Sequence, residues 1–162
     1  MPIEGLAQPD MIPVDGDLRL RKFDGVYDFA LEWYDSETTL LVDGDPEPYT
    51  PYALRCMYEW QNEHGELYFI EYDYGNGFVP VGDVTFSGDD LPIVIGPKDL
   101  RGKGIGKRVV RALIERARQL GYTELHVKDI YSFNEGSRRC FTGCGFVEDG
   151  TTEKGNSFVL KL

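Results

Sequence analysis

The residues of this chain that are best suited to binding a ligand form a short glycine-rich run, RGKGIG at positions 101–106, which leads directly into a helical pattern. Three glycines within five residues let the backbone bend where a Cβ would clash, and they let an anion approach the main-chain N–H groups. A helix that starts here adds unpaired N–H groups and a partial positive charge at its N-terminus. The run therefore predicts a phosphate-binding loop.

The spacing of this run excludes two common nucleotide motifs. A Walker-type loop needs G-x-x-x-x-G-K followed by Ser or Thr, whereas this chain has Pro97 at the first glycine position and Gly104 after the lysine. A dinucleotide fingerprint needs G-x-G-x-x-G early in the fold, whereas here the pattern is G-x-G-x-G and several strand patterns precede it. A glycine turn without a ligand remains the structural alternative.

The elements that position this loop follow from apolar periodicity and turn residues. Alternating or continuous apolar runs predict strands, and spacings of three and four predict helices. In the helix after the loop, Val110, Leu113 and Ala117 lie on one predicted buried stripe. The result is a mixed α/β fold with strands over 18–23, 66–72, 78–86, 91–95, 123–131, 145–148 and 156–161, and helices over 25–41, 51–64, 106–120 and 134–144.

Composition narrows the function further. The length of 162 residues fits one compact domain over 1–162. The net charge of −11 is divided, because residues 1–99 carry −16 and residues 100–162 carry +5. The basic part suits an anionic cofactor, and the acidic part is either a solvated surface or a site for a cation. This balance argues against nucleic acid as a partner.

The sequence shows no pattern typical of a membrane-spanning segment or a signal peptide. No apolar run reaches the length of about 18 residues that spans a bilayer, and the N-terminus lacks a signal-peptide pattern. The three cysteines cannot all pair with one another, so we expect them to be reduced and the protein to be cytoplasmic. Cys140 and Cys144 are four residues apart without a nearby His, so we expect no metal site.

Several motifs in order resemble one enzyme family. Arg101-x-x-Gly104-x-Gly106 resembles the R/Q-x-x-G-x-G/A signature of the GNAT superfamily of N-acetyltransferases. An apolar strand at 93–95 precedes it, and the segment 134–146 resembles the family's N-x-x-[A/S]-x-x-x-[Y/F]-x-x-x-G-F pattern. The resemblance covers about 18–162. It implies a mixed α+β fold with a mostly antiparallel sheet of six or seven strands, splayed between the fourth and fifth, and about four helices.

The resemblance also implies the cofactor, acetyl-CoA (coenzyme A), lying in the splay between these strands. Main-chain N–H groups of the loop would bind the pyrophosphate, two lysines would add charge, and the strand before the loop would pair with the pantetheine arm through its main chain. An asparagine would hydrogen-bond that arm, although it could instead only cap the short helix. The implied cofactor-binding residues are Val94, Ile95, Arg101, Gly102, Lys103, Gly104, Ile105, Gly106, Lys107 and Asn134.

Direct transfer of an acetyl group to an amine requires a base, because a protonated amine cannot attack. Asp83 lies in an alternating strand and is the candidate base, whereas Asp89 and Asp90 suit either that role or a plain turn. Many family members protonate the leaving thiolate with a tyrosine, and this chain has Phe141 there. The substitutes are Tyr131 and Ser137, each of which could instead be structural; some relatives have no dedicated acid.

The resemblance and the charge pattern together predict an N-acetyltransferase that acts on a primary amine of a small cationic acceptor, similar to an aminoglycoside, a polyamine or an amino acid. Tyr49 and Tyr52, beside an acidic loop, could line a cleft for such a cation. The alternatives are a protein N-terminal acetyltransferase, an O-acetyltransferase, which would need a stronger base, and a non-catalytic acyl-CoA sensor, which the absence of the usual tyrosine would favour. Many relatives are dimers, so a homodimer is a possible assembly.

Overall fold

The structure is a computed structural model that describes residues 3–162. No helix among these residues is long and apolar enough to cross a membrane. The elements, in chain order, are β1 (Met11–Asp15), β2 (Leu18–Lys22), a 3-10 helix (Asp28–Trp33), α1 (Ser36–Asp43), α2 (Pro51–His64), β3 (Glu66–Asp73), β4 (Phe78–Phe86), β5 (Ile93–Ile95), a 3-10 turn (Lys98–Leu100), α3 (Ile105–Gln119), β6 (Glu124–Tyr131), α4 (Glu135–Gly143), β7 (Val147–Thr151) and β8 (Gly155–Lys161).

The strands form two antiparallel sheets that meet at a cleft. Five strands follow the order β1-β2-β3-β4-β5, and three follow the order β6-β8-β7. β5 and β6 are edge strands that do not pair with each other, so a gap opens between them in which no strand ladder uses their backbone groups. This opening is the predicted splay, because β5 and β6 are the fourth and fifth strands when β1 is not counted. The mixed α/β class and the mostly antiparallel sheet are confirmed.

Helix α3 fills the main core and thereby fixes the position of the glycine loop. The predicted stripe is confirmed, since Val110, Leu113 and Ala117 are fully buried. They pack with apolar side chains from both sheets, among them Leu20 and Leu125. The burial of this helix on both sheets holds its N-terminus at the mouth of the cleft.

A second, aromatic cluster lies on the other side of the larger sheet and positions the segment before the cleft. Trp33, Tyr34 and Tyr58 are buried there against Phe69 of β3. Gly96, directly after β5, has no room for a side chain, because an added Cβ would lie 2.2 Å from the Trp33 ring. Ring packing therefore brings the 3-10 helix against the end of β5 and α2 against β3.

The prediction of one continuous helix over 25–41 is wrong. The chain forms a 3-10 helix at Asp28–Trp33 and then a separate helix, α1. Asp35 starts the second helix, because its side chain accepts the Thr38 N–H at 3.0 Å as an N-cap. At the start of the predicted range, Val26 is 60% exposed, so this apolar residue does not belong to a buried helix face.

Two strands differ from the predicted pattern. β1 was not predicted; its five residues alternate between exposed and half-buried, and Pro13 fits an edge strand. The strand predicted at 145–148 lies instead at Val147–Thr151, where all five residues are exposed. A strand without a buried face gives no apolar alternation from which its ends could be placed.

Candidate active site

The glycine loop presents a row of unpaired main-chain donors. Gly102 and Gly104 have φ angles of 72° and 85°, in the left-handed region that favours glycine. Gly104 is the N-cap of α3, and its carbonyl accepts the first helical hydrogen bond, from Arg108 N–H. Within residues 3–162, none of the N–H groups of residues 102–107 donates a hydrogen bond. Six N–H groups beside a helix N-terminus can bind an anion.

Arg101 has a different position from the rest of the loop. Its N–H donates to Lys98 O at 3.2 Å, so this main-chain group is not available to a ligand. Its side chain donates to Ile95 O at 2.9 Å and to Thr38 Oγ1 at 2.8 Å. The guanidinium therefore ties the loop to the end of β5 and to α1, which corrects the expected main-chain role of Arg101.

A cavity of about 510 Å³ lies in front of the loop and is called the basic cavity here. Gly102, Gly104, Ile105 and Gly106 line it, together with β5, α1 and α4. Its charged lining residues are Arg101, Lys107 and Arg139, and no carboxylate among the described residues lines it. Lys103 is exposed and does not line this cavity, so the structure brings only one of the two expected lysines to it.

The free edge of β5 borders the basic cavity, and its register decides which backbone groups face outwards. Gly96 N–H donates to Val81 O, Thr85 N–H donates to Pro92 O, and Val94 lies opposite Asp83. Because hydrogen-bonded pairs alternate along an antiparallel ladder, the main chain of Val94 faces β4, whereas that of Ile93 and Ile95 faces the cavity. The register therefore argues against the expected main-chain role of Val94, because its N–H and C=O groups point towards β4.

A second cavity, of about 240 Å³, adjoins the first and is called the acidic cavity here. Four aspartates line it, and no Lys or Arg among the described residues does: Asp43, Asp83, Asp90 and Asp129. The rings of Tyr34 and Tyr49 stack on its wall, 4.8 Å apart and 7° from parallel. Tyr52, by contrast, is 71% exposed and lines neither cavity.

Asp83 is the most buried of these carboxylates, with only 5% of the residue exposed. Its Oδ2 accepts hydrogen bonds from Tyr34 Oη and Tyr58 Oη, both at 2.7 Å. Burial raises the pKa of Asp83 to about 6, and the two hydroxyl groups act in the opposite direction by stabilising the charged form. A carboxylate that titrates near neutral pH in a cleft can accept a proton from a substrate.

The two other predicted carboxylates differ in position. Asp89 is exposed and lines neither cavity. Asp90 lines the acidic cavity, and its Oδ1 accepts the Lys128 N–H at 3.0 Å. This bond joins the segment before β5 to β6 across the cleft. Burial raises the pKa of Asp90.

Asn134 and Ser137 lie where the two cavities meet, since both residues line both cavities. Asn134 caps α4 by accepting the Ser137 N–H at 3.2 Å, and it donates to Leu41 O of α1 at 3.2 Å. The Ser137 hydroxyl has no hydrogen-bond partner among the described residues. It is therefore free to donate to a group at the junction.

Phe141 and Tyr131 show how the expected acid position is built. Phe141 is buried, contacts Phe146 edge to face at 5.2 Å and lines the acidic cavity, so this wall is apolar. Tyr131 lines neither cavity; its ring packs against Gly44 and stacks on Phe133 at 5.5 Å. The structure thus brings Ser137, but not Tyr131, to the junction.

Sequence reasoning missed the phenols that hold Asp83 and the carboxylates at the rim of the acidic cavity. Tyr34 and Tyr58 fit the apolar periodicity of helices, so their type and spacing indicated only core positions. Asp43 was assigned to a loop, and Asp129 to a strand, where an exposed charge is ordinary. Only the three-dimensional fold brings these residues together.

Two adjoining cavities in a splayed sheet, one with free N–H groups for an anion and one with a titratable carboxylate, fit a group-transfer enzyme that takes an anionic donor. The family model described as "Acetyltransferase (GNAT) family" matches residues 27–146. The chain therefore belongs to the GNAT family of acetyltransferases, whose acyl donor is acetyl-CoA. No curated protein sequence matches it at a significant level.

Solved structures share this fold at low sequence identity. A GNAT-family acetyltransferase from Bacillus anthracis is 15% identical, with a TM-score of 0.76 over 93% of this chain and 98% of that one. An aminoglycoside acetyltransferase in complex with coenzyme A is 22% identical, with a TM-score of 0.63 over 89% and 94%. A Salmonella typhimurium acetyltransferase that modifies an N-terminal serine of a ribosomal protein is 15% identical, with a TM-score of 0.67 over 94% and 99%.

Proposed function

We propose that this enzyme transfers the acetyl group of acetyl-CoA to a primary amine of a small cationic acceptor. The observation that carries the proposal is the pairing of the two cavities: the basic cavity suits a phosphorylated donor, and the acidic cavity suits a cation. The donor supplies the acetyl group as an activated thioester when bound. All other contributions come from residues of the chain.

The basic cavity fits the phosphates of coenzyme A. Six unpaired N–H groups, those of residues 102–107, lie in the loop and the first turn of α3. Apart from the glycine and its two chain neighbours, no atom comes within 4 Å of the position that a Cβ would occupy at Gly102 or Gly104, so a ligand can approach the backbone closely. Lys107 and Arg139 add positive charge, and the outward main chain of Ile93 and the N–H of Ile95 offer an edge to the amide-containing arm.

Asp83 is the proposed base. An alkyl ammonium has a pKa near 10, so most acceptor molecules arrive protonated and must lose a proton before attack. The Asp83 carboxylate faces the acidic cavity, attracts the cation and accepts that proton. Burial supports this role, because the raised pKa makes Asp83 a stronger base than an exposed aspartate while leaving it mostly ionised above pH 7.

Ser137 is the proposed donor to the leaving thiolate, in place of the tyrosine that Phe141 replaces. Its hydroxyl has no partner among the described residues and lies at the junction of the cavities. A hydroxyl donor stabilises a developing thiolate by a hydrogen bond even without full proton transfer. Tyr131 is less suitable, because its ring is packed against Gly44 outside both cavities.

The acidic cavity favours a small acceptor over a protein N-terminus. Its volume of about 240 Å³ is below the range of about 300–1,000 Å³ typical of sites for drug-sized ligands. A polyamine-like chain or one amino sugar fits this volume better than a folded peptide segment. The four aspartates and the stacked tyrosines supply charge and cation–π contacts for the ammonium group.

The test is acetyl-CoA turnover, measured as release of free thiol, against polyamines, aminoglycosides, amino acids, N-terminal peptides and hydroxyl analogues of matched size. We expect turnover with a cationic amine and none with its hydroxyl analogue. Thiol release only with peptides would replace the small acceptor by a protein N-terminus. Binding of coenzyme A in a thermal-shift assay, without turnover of any acceptor, would contradict the catalytic assignment.

A further inference from the structure

The carboxylate of Asp83 is bound asymmetrically. Both Tyr34 and Tyr58 donate their hydroxyl groups to the same oxygen, Oδ2, at 2.7 Å each. The other oxygen, Oδ1, accepts no hydrogen bond from any residue within 3–162, yet no buried polar side-chain atom in this part of the chain lacks a partner. Oδ1 is therefore not fully enclosed, and the cavity that Asp83 lines is the acidic one.

The two phenols come from separate elements and reach Asp83 from two directions. Tyr34 follows the 3-10 helix Asp28–Trp33, and Tyr58 lies in α2. Their rings meet nearly perpendicularly, at 89° and 6.5 Å between centroids. This packing fixes both hydroxyl groups on one side of the carboxylate, so the side chain cannot turn without losing two hydrogen bonds.

We propose that Tyr34 and Tyr58 are positioning residues that direct Oδ1 of Asp83 towards the acceptor amine and keep the carboxylate ionised. The inference rests on the proposed function, in which Asp83 is the base. It adds the reason why a buried carboxylate can serve there. The two hydroxyl groups occupy Oδ2 completely, so Oδ1 is the single oxygen at which the acceptor can leave its proton.

The proton balance of this step is simple. An N–H bond of the acceptor ammonium breaks, its electron pair stays on nitrogen, and an O–H bond forms on Oδ1. Asp83 becomes a neutral acid, and both tyrosines remain hydrogen-bond donors throughout. Burial and the nearby carboxylate raise the pKa of each phenol well above its usual value, so neither loses its proton while Asp83 titrates.

The other groups around Asp83 do not replace this arrangement. Its neighbours across the sheet, Phe69 on β3 and Val94 on β5, cannot ionise. No Lys or Arg among the described residues lines the acidic cavity, so no cation keeps Asp83 charged in the absence of acceptor. The titratable groups that share the cavity with it are Tyr34, Tyr49, Asp43, Asp90 and Asp129.

Substitution by phenylalanine removes only the hydroxyl groups. Tyr58 retains its contacts with Phe23 and Phe69, at 5.4 and 5.9 Å, and Tyr34 retains its stacking on Tyr49. Tyr68 provides a matched control, because it is also buried and donates to a buried carboxylate, that of Glu66, at 2.9 Å. Tyr68 lines neither cavity.

The experiment measures two properties of Tyr34→Phe, Tyr58→Phe and Tyr68→Phe in the full chain. The first is kcat/KM against pH with an accepted amine, whose acid limb reports the ionisation of the base. The second is the titration of the Asp83 carboxyl carbon by 13C NMR in aspartate-labelled protein, assigned by its loss in Asp83→Asn. We expect each of the first two variants to raise both midpoints by about one pH unit from wild type. Tyr68→Phe should leave both unchanged.

The NMR titration separates this inference from the proposed function, because it needs no turnover. Raised Asp83 midpoints in both variants, with an acid limb that follows them, support the proposal. Unchanged midpoints in Tyr34→Phe and Tyr58→Phe would overturn it, even where kcat falls. If Asp83→Asn retains wild-type turnover, Asp83 is not the base, and the positioning role fails whatever the NMR titration gives.

Discussion

The basic and acidic cavities share a wall but are built by opposite means. The basic cavity is bordered by the backbone of one short segment, in which the N–H groups of residues 102–107 are unpaired and two glycines leave space for a ligand. The acidic cavity relies on side chains that come from α1, α2, β4 and β6 and from the segments between them. The basic cavity, which is the proposed donor half of the site, therefore depends on a local motif. The acidic cavity, the proposed acceptor half, exists only in the folded chain.

The largest effect is expected from a substitution that disrupts the basic cavity alone. Gly104→Asp forces a side chain into a φ of 85° and adds a negative charge beside the phosphate site. We expect coenzyme A binding, measured by isothermal titration calorimetry, to fall by more than about 100-fold. Gly104→Asn is the matched control, because it has the same size and tolerates this conformation. Equal losses in the two variants would show that charge at the loop is not decisive.

The next largest effect is expected from a substitution that changes the acidic cavity and leaves the basic cavity intact. Asp83→Asn removes the proposed base, and we expect kcat to fall by about 100- to 10,000-fold with unchanged affinity for coenzyme A. Asp89→Asn, an exposed aspartate outside both cavities, should keep wild-type kcat. Loss of coenzyme A binding in Asp83→Asn would mean that the two cavities are not separable in this way.

Asp83→Asn should also change how the stability of the protein depends on pH, because the proposed base is buried. Burial raises the pKa of Asp83 from 3.8 to about 6, so the folded state binds its proton more tightly than the unfolded state does. Its stabilising contribution is therefore complete below pH 4 and is lost as the pH rises through 6, by about 3 kcal/mol in total. We expect urea denaturation to show Asp83→Asn gaining stability over wild type between pH 4 and pH 8. A difference between the two proteins that is constant with pH would contradict the shifted pKa.

The smallest effect sharpens the comparison within the basic cavity. Lys107 lines this cavity and Lys103 does not. We expect Lys107→Ala to weaken coenzyme A binding about tenfold and Lys103→Ala about twofold, with the larger loss reduced in high salt. Equal losses in the two variants would show that long-range charge, rather than position at the cavity, sets the contribution of a lysine.

The donor half could be predicted from the sequence because its determinants are contiguous. Glycine spacing, the strand at 93–95 and the amphipathic helix after the loop are local patterns, and the fold class followed from them. The details of Arg101 and Val94 could not be predicted in this way. They depend on which carbonyl a guanidinium reaches and on the phase of a hydrogen-bond ladder, neither of which is encoded in spacing.

The acceptor half was predictable only in part. Asp83 could be proposed from the sequence because it alternates with apolar residues in a predicted strand and could point into a cleft. Its partners were not found, since Tyr34 and Tyr58 are 49 and 25 residues away from it in the chain. The helix break at Asp35 was hidden by the apolar residues at helical spacing before it, such as Ala30 and Tyr34.

The wall that the two cavities share has an evolutionary consequence. Leu41, Val42, Asn134 and Ser137 line both cavities, so a substitution at any of them alters donor and acceptor binding together. Asp43, Tyr49, Met57 and Gln61 line the acidic cavity alone. Acceptor preference can drift freely at this second set, and a mutational library confined to it is the shortest route to enzymes with new acceptors and an unchanged donor.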